Sequence, residues 1–407
     1  MRYLYKKILN KKIDLSWIFF SVFSRAVPLS VIPLLIGLVD KKEVDWFVLI
    51  QTNASLLAIF FGFSQGSYIQ RKFSNRDLSA AIILTASVPI LLLIITIGVV
   101  LTFTKDYFFW MYTLILSFCI AYIPQTQALL QTTKRFSLIV IADFCRILFY
   151  FGCILFLYMN NRLTAKSMVW LLSLFYLLPF LFLYYRCFLD INIKNISGAI
   201  NEWFSSFRWM GMLAFSSLIS IAAWMSIRYS LSVFGQIGEL SNFAAIMSVA
   251  SMCALVVDLI YIRCGKSIIY ATQARNIKLL LMTAKKVFVL TAISSIAVTL
   301  VSVIYVNFQF GKIESKYFIS TIIINIGYHI RGIYIFAQYI LTGMGLAKFD
   351  FLSSILMLTF SLLSAKWLTV DYGLVGASVL FMSISAICLL VLTFGVVKHW
   401  KKPWSSV

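Results

Sequence analysis

The chain has 407 residues, of which 61% are hydrophobic and 12% are charged, and its mean hydropathy is +0.94. This composition excludes an ordinary water-soluble globular protein, because the apolar fraction is well above the usual range of such domains. The net charge of +21 does not in itself indicate a nucleic-acid partner, since Lys and Arg also gather in the cytoplasmic loops of membrane proteins.

Long apolar segments follow one another along almost the whole chain. A membrane-spanning helix needs about 20 mostly apolar residues. Twelve such segments are predicted, in chain order at 15–39, 44–69, 78–103, 107–130, 137–158, 167–186, 209–233, 238–262, 283–308, 317–344, 351–369 and 372–397. We therefore predict an all-α polytopic membrane protein with two six-helix lobes, at 1–190 and 207–407, joined by a cytoplasmic linker at 191–206.

The two predicted lobes also carry similar segments. "KKEVDWFVLIQTNASLLAIF" follows the first span, and "QIGELSNFAAIMSVASMCAL" follows the seventh. Aligning Glu43 with Glu239 also pairs Phe47 with Phe243. This similarity predicts a parallel repeat of six helices, as in some transporter folds.

The positions of the basic residues predict the orientation of the chain. The loops on the side of the two termini carry 23 of the 35 Lys and Arg residues, and the opposite loops carry eight. Because basic residues favour the cytoplasmic side, both termini are predicted to be cytoplasmic.

The remaining four basic residues are arginines within predicted spans, at Arg25, Arg146, Arg228 and Arg331. An arginine at the centre of a spanning helix costs about 2.5–3.5 kcal/mol on insertion scales. We therefore expect these side chains to face the bundle interior or a watery cavity. Arg228 lies nearer the end of its span than the others, so its side chain could also reach the headgroup region.

Helical spacing places polar neighbours beside these arginines. Asp143 and Arg146 share one side of the fifth span, either as an ion pair that joins two helices or as part of a binding site. Trp224 lies one turn before Arg228, where it could stack on a sugar or belong to an interfacial aromatic belt.

The tenth span carries the longest polar stripe. Tyr328, Arg331 and Gln338 lie on one face, and Asn325 and His329 lie beside them. An uninterrupted stripe of this kind favours a wetted cavity.

Acidic residues within the spans are fewer than arginines. Asp258 lies near the cytoplasmic end of its span, where it is either oriented toward the interface or able to bind a coupling cation or proton. Asp143, Asp258 and His329 are the candidates for ion coupling. The excess of arginine predicts a positive cavity, and guanidinium groups bind phosphate oxygens in bidentate fashion, so a phosphate or pyrophosphate is the expected ligand class.

Motifs for other chemistry are absent from the sequence. The seven cysteines are scattered without a C-x-x-C pair, and no nucleotide-binding glycine motif or H-E-x-x-H occurs. We therefore expect no catalytic residues, metal, cofactor or nucleic-acid partner. A gradient-driven or unpowered carrier is the expected function, and an enzyme is not.

Three segments carry a resemblance to a known family. "LLQTTKRFSLIVIADFCRI" at 129–147, "LTGMGLAKFDFLSSIL" at 341–356 and "DYGLVGASVLFMSIS" at 371–385 resemble flippases of the Wzx type, the O-antigen translocases. These proteins share a superfamily with MATE exporters and the lipid II flippase. The resemblance covers essentially the full length of the chain.

The resemblance implies a function. Proteins of this kind move an undecaprenyl-pyrophosphate-linked oligosaccharide from the cytoplasmic to the periplasmic leaflet of the bacterial inner membrane. It also implies a cationic cavity between two lobes, with membrane lipids, a polysaccharide polymerase and chain-length machinery as partners. Arg25, Arg146, Arg228, Arg331, Trp224 and Tyr328 are the candidate substrate-binding residues.

Two alternative functions differ in their sequence requirements. A MATE-type exporter of small molecules would share the architecture, although an exporter of cations would need buried carboxylates. A membrane polysaccharide polymerase or ligase would usually carry a large outer loop, and the predicted outer loops are short.

Overall fold

The computed structural model describes residues 27–62, 78–104, 106–133, 136–188, 196–310, 314–344, 346 and 348–400. These residues form helices, and no strand occurs among them. The helices are α1 (Val27–Ile36), α2 (Lys41–Gly62), α3 (Leu78–Phe103), α4 (Tyr107–Thr133), α5 (Phe136–Met159), α6 (Ala165–Phe188), α7 (Ile196–Phe234), α8 (Glu239–Ala250), α9 (Met252–Gln273), α10 (Ile277–Phe310), α11 (Ser315–Gly343) and α12 (Lys348–Trp400).

The all-α polytopic fold predicted from the sequence is confirmed. Each predicted span that lies within the described residues coincides with helix. By length and composition, six helical segments of the described part of the chain can cross a membrane. The apolar helices therefore indicate a multi-pass membrane protein.

Several helices are longer than their apolar spans. α7 has 39 residues and α10 has 34, which at 1.5 Å per residue gives about 58 and 51 Å, more than the roughly 30 Å hydrocarbon core. The segment between the predicted spans 238–262 and 283–308 is also mostly helical, since α9 continues to Gln273 and α10 begins at Ile277. Hydropathy locates only the part of a helix within lipid, and polar helix formers such as Lys and Gln extend it into water.

Two breaks interrupt the long helices. Ser251 separates α8 from α9, and its backbone N–H contacts the carbonyls of both Met247 and Val249. Within α12, Gly373 has φ 51° and ψ −125°, so the helix is two limbs joined by a sharp kink. The positive φ favours glycine here, and a Cβ at Gly373 would also displace the Glu239 carboxylate, whose Oε1 would lie 2.8 Å away. The kink agrees with the boundary predicted between the last two spans.

The chain forms two compact units. The first comprises residues 1–28 and 49–218, and the second comprises residues 29–48 and 219–407. In the first unit a buried apolar cluster joins α2, α3 and α4 through Ala58, Phe61, Leu114 and Ala121, packed by Leu92 and Leu93. The lobes and linker drawn from the sequence stay a prediction.

The second unit contains many buried hydroxyl side chains at helix contacts. Ser302, Ser320, Ser361 and Ser385 are fully buried. Small residues of this kind allow helices to approach closely in a membrane. The hydroxyl of Ser361 contacts that of Ser226 and donates to the carbonyl of residue 223, which joins the first limb of α12 to α7.

The beginning of α2 caps the beginning of α8. The Asp45 carboxylate accepts hydrogen bonds from the backbone N–H groups of Gly238 (2.9 Å) and Ser241 (2.8 Å). These N–H groups have no partner within the helix, and a carboxylate also favours the positive end of the helix dipole. Residues 29–48 are thereby held within the second unit.

Candidate functional site

The second unit contains a polar cavity around Arg331. The cavity has a volume of about 360 Å³ and opens between α9 and α11. Its lining consists of polar or aromatic side chains with one exception, and the residues are Asp258, Arg331, Tyr334, Ile335, Gln338, Tyr339 and Thr342. No described group accepts a hydrogen bond from the buried Nε of Arg331. The cavity therefore offers a guanidinium donor within a polar lining.

Tyr328 connects the two arginines of this unit. It lies one turn before Arg331 on α11, and it interacts electrostatically with both Arg331 and Arg228. Arg228 comes from α7 and is coupled electrostatically to Tyr328 of α11. The interior and headgroup orientations of its guanidinium both stay predictions. Arg228, Tyr328 and Arg331 are called the arginine pair site below.

Aromatic rings form one wall of the arginine pair site. The ring of Phe381, on the second limb of α12, lies 4.9 Å from Trp224 and 5.0 Å from Tyr328, centroid to centroid. Phe381 approaches closely because Gly327 has no side chain, and a Cβ there would lie 2.7 Å from Cδ1 of the ring. Trp224 therefore packs against another helix of its unit.

Two carboxylates lie near the arginine pair site. Asp258 lines the same cavity as Arg331 and interacts with it electrostatically. Asp350, at the start of α12, accepts a hydrogen bond from the side chain of Gln338. Asp258 therefore offsets part of the charge of Arg331, and the net positive cavity expected from the sequence stays a prediction.

His329 and Asn325 face the opposite side of α11. They line a separate crevice of about 380 Å³ with residues of α10, and Nδ1 of His329 lies 3.1 Å from Oγ of Ser295. Successive residues of an α-helix are separated by about 100°, so His329 and Arg331 point about 200° apart. The polar stripe that the sequence predicts as continuous is therefore divided between two faces of α11.

Arg146 lies in the first unit among aromatic rings. Its guanidinium carbon is 4.7 Å from the ring centroid of Phe175 on α6, a cation–π geometry, and it interacts with Tyr176. Tyr150, one turn further along α5, is fully buried with its ring 5.3 Å from Phe175. The aromatic environment of Arg146 differs from the polar cavity around Arg331.

Two predicted site residues cannot be placed. Arg25 lies outside the described residues. Asp143 is part of α5, but its side chain is not described, so its ion pair with Arg146 stays a prediction.

Several residues around the arginine pair site were not identified from the sequence. Tyr334 lies three residues after Arg331, so helical spacing could have found it. Phe381 and Gly327 could not have been found in this way, because their contact depends on the packing of α12 against α11. Asp350 lies between the predicted spans 317–344 and 351–369 and was therefore not counted among the acids of the spans, although it belongs to the first turn of α12.

Comparison with known proteins identifies the fold. No family model matches the chain, and no curated protein matches its sequence. An inward-facing multidrug resistance MATE family transporter of the MOP superfamily is 14% identical, with a TM-score of 0.70 over 94% of this chain and 96% of that chain. An outward-facing transporter of the same description is 15% identical, with a TM-score of 0.65 over 95% and 94%. A MATE transporter from Vibrio cholerae is 13% identical, with a TM-score of 0.55 over 97% and 98%.

These similarities cover nearly the full length of both chains, while the sequence identities are low. Similarity of this kind establishes architecture and leaves substrates open. The chain has the fold of MATE family transporters of the MOP superfamily.

Proposed function

We propose that the protein is a flippase that moves an undecaprenyl-pyrophosphate-linked oligosaccharide, an O-antigen unit or a related repeat, from the cytoplasmic to the periplasmic leaflet of the bacterial inner membrane. Transport proceeds by alternating access, with the polyprenyl chain remaining in the bilayer. The fold is that of membrane transporters. The resemblance of three sequence segments to Wzx-type flippases supports this choice of substrate.

The arrangement of Arg228 and Arg331 around Tyr328 is the observation that carries the proposal. Arg331 lies one turn after Tyr328 on α11, and the charges of both arginines act on the Tyr328 phenol. A pyrophosphate has two anionic groups a few ångströms apart, and each can accept two parallel hydrogen bonds from a guanidinium. Tyr328 would lie between the two phosphates and donate its hydroxyl proton to one of them.

The aromatic wall supports the part of the proposal that concerns sugar binding. Trp224 and Phe381 lie beside Tyr328, and flat rings are common in the lining of sites for organic ligands. In this proposal the first sugar after the pyrophosphate packs on Trp224. Arg25 would bind the substrate at another stage of transport, and Arg146 would do so only secondarily to its contact with Phe175. Asp143, Asp258 and His329 are the candidates for ion coupling. A polysaccharide polymerase and chain-length machinery would receive the product.

Reconstituted transport tests the proposal. Purified protein is placed in liposomes that contain an undecaprenyl-pyrophosphate-linked oligosaccharide with a fluorescent label, and an added glycosidase reports the fraction exposed outside. The protein should make the inner-leaflet pool accessible, and the Arg228→Ala/Arg331→Ala double variant should slow this strongly. Exposure at the rate of protein-free liposomes would contradict the proposal.

Export of small molecules is a second candidate function. Asp258 places a carboxylate in the same cavity as Arg331, and a carboxylate can bind a cationic drug or a coupling ion. The structurally similar chains include multidrug resistance transporters. Dye efflux from a host that lacks its own pumps distinguishes the two functions, since the flippase should not lower dye accumulation. Polysaccharide polymerisation is not proposed, because the similar folds are those of transporters.

A further inference from the structure

α10 and α11 enclose a crevice on the side of α11 that faces away from Arg331. Its volume of about 380 Å³ is within the usual range of small-molecule sites. Most of the lining is aliphatic, and the residues are Ala292, Ser295, Ile296, Thr299, Leu300, Ile322, Asn325, Ile326 and His329. The crevice belongs entirely to the second unit, and its role does not depend on the transport proposed above.

The rim of the crevice is exposed and aliphatic. Ile296 is 63% exposed, Leu300 61% and Ile326 44%. On apolar helices long enough to cross a membrane, exposed aliphatic side chains of this kind contact lipid hydrocarbon. A molecule that enters the crevice therefore comes from the bilayer, with an apolar body.

The floor of the crevice carries a buried hydrogen-bond acceptor. Asn325 is 4% exposed, and its Nδ2 donates to the carbonyl oxygen of Thr321 at 2.8 Å. A carbonyl can only accept, so this bond fixes the orientation of the amide and leaves Oδ1 as the free end. No described group donates a hydrogen bond to Oδ1.

Neighbouring hydroxyl groups are engaged elsewhere. The Thr299 hydroxyl donates to the backbone carbonyl of Ser295 at 2.7 Å. The Ser295 hydroxyl lies 3.1 Å from Nδ1 of His329 and 3.3 Å from Sγ of Cys253. An acceptor buried among aliphatic side chains without a donor is unfavourable, most of all in a membrane, where leucine would fill the same space without this cost.

We propose that this crevice binds a lipophilic alcohol, with its hydrocarbon body against the aliphatic walls and its hydroxyl proton donated to Oδ1 of Asn325. The ligand must be a donor because Oδ1 can only accept. It must also be neutral, because no carboxylate is among the described residues that line the crevice, and a cation would have no counter-charge within the membrane.

Photolabelling tests the site on the full-length protein in lipid nanodiscs. The probe is an aliphatic alcohol with a diazirine in its chain, and mass spectrometry measures labelling of peptides that contain residues 292–300 and 322–329. An excess of the unlabelled alcohol should compete with the probe, and an alkane of equal chain length should compete far less. Equal competition by the alkane would overturn the proposal, since hydrocarbon contact alone would then account for binding.

Substitutions test the hydrogen bond and the space between the aliphatic walls separately. Asn325→Leu removes the acceptor at similar volume and should lower labelling by about 2- to 10-fold, the range expected for one hydrogen bond. Ile296→Trp fills the crevice and should abolish labelling. Ile304→Trp is the matched control, because residue 304 is 68% exposed on the same helix outside the crevice and should leave labelling unchanged.

A folding check completes the test. Each variant should elute as a monodisperse protein with the thermal stability of the parent, so that loss of labelling reports the site alone. Labelling of Asn325→Leu at the parental level would overturn the proposal. If Asn325→Leu does not fold, Ile296→Trp gives an independent result. Undiminished labelling of Ile296→Trp would also overturn the proposal.

Discussion

Arg146 and Arg331 are both arginines near the middle of an apolar helix, but their surroundings differ. The Arg146 guanidinium lies 4.7 Å from the centre of the Phe175 ring. Arg331 instead lines a polar cavity with Asp258 and Tyr334. The first arginine has a face-on aromatic partner, while the second shares its cavity with a carboxylate.

The difference shows two ways in which a membrane protein tolerates a cation. An aromatic face stabilises the charge by its quadrupole without requiring water. A polar cavity stabilises it through tyrosines and a carboxylate, and it leaves room for a ligand. We therefore expect Arg331 to contribute mainly to substrate binding and Arg146 mainly to helix packing. Substitutions at the two arginines and their neighbours test this division.

Arg331→Ala should give the largest loss. Hydrogen bonds to charged groups are worth about 1.5–3 kcal/mol, so transport of the lipid-linked oligosaccharide should fall by about 10- to 100-fold. Arg331→Lys should retain more transport than Arg331→Ala but less than the parent, because an ammonium cannot form the bidentate contact with a phosphate. Initial rates in liposomes, normalised to the amount of inserted protein, measure both variants. Arg146→Ala with an equal or larger loss of transport at unchanged stability would break the division.

Phe175→Leu tests the aromatic partner of Arg146. A cation–π contact is worth about 0.5–2 kcal/mol, so loss of the ring should lower the thermal stability of the protein in detergent by a corresponding amount. Transport per folded molecule should change little. Phe144→Leu is a matched control, because Phe144 is 45% exposed on α5. Unchanged stability with a large loss of transport would instead place Arg146 in substrate binding.

Asp258→Asn distinguishes the two candidate functions. For an anionic substrate, removing the negative charge that shares the cavity with Arg331 should lower the KM by about 2- to 5-fold, the range for partly solvated charges. For a cationic drug or an obligatory coupling ion, the same change should abolish transport. Concentration series for the lipid-linked oligosaccharide and for a cationic dye measure the two outcomes. Loss of oligosaccharide transport in Asp258→Asn would show that the carboxylate is required.

Much of this molecule was predictable from the sequence. The apolar segments predicted the helices, because hydrophobic length alone decides whether a segment can span a bilayer. Helical spacing placed Tyr328, Arg331 and Gln338 along one stretch of α11, and Arg331 and Gln338 line one cavity. The spacing argument was less reliable for His329, which was grouped with Arg331 although the two point to opposite sides of the helix.

Contacts between distant helices were not predictable. Asp45 caps α8 although the two are 193 residues apart in the chain, and no local pattern encodes that pairing. The approach of Phe381 to Gly327 is of the same kind. Such contacts depend on which helices pack together. A single sequence shows the periodicity of each helix but not its packing partners.

Gly327→Ala tests whether the ring of Phe381 has a fixed position in the aromatic wall. The new Cβ would lie 2.7 Å from Phe381 and 3.3 Å from the Cα of Met382, so the ring must move. Overpacking of this kind costs about 1–3 kcal/mol, and the thermal stability of the variant should fall accordingly. Transport per folded molecule should change less than in Asp258→Asn, because no charged group is lost.

Gly332→Ala on the same helix is the matched control. Its Cβ would have its nearest neighbour, Cγ2 of Val257, at 3.5 Å, an ordinary contact, so stability should stay the same or rise slightly through the better helix propensity of alanine. Phe381→Leu should restore part of the stability of Gly327→Ala, since the smaller side chain makes room for the methyl group. If Gly327→Ala is as stable as Gly332→Ala, the ring is free to move and cannot form a fixed wall beside Tyr328. A fixed wall, in contrast, would mean that aromatic packing positions Tyr328, one turn before Arg331, whereas at Arg146 the ring contacts the guanidinium itself.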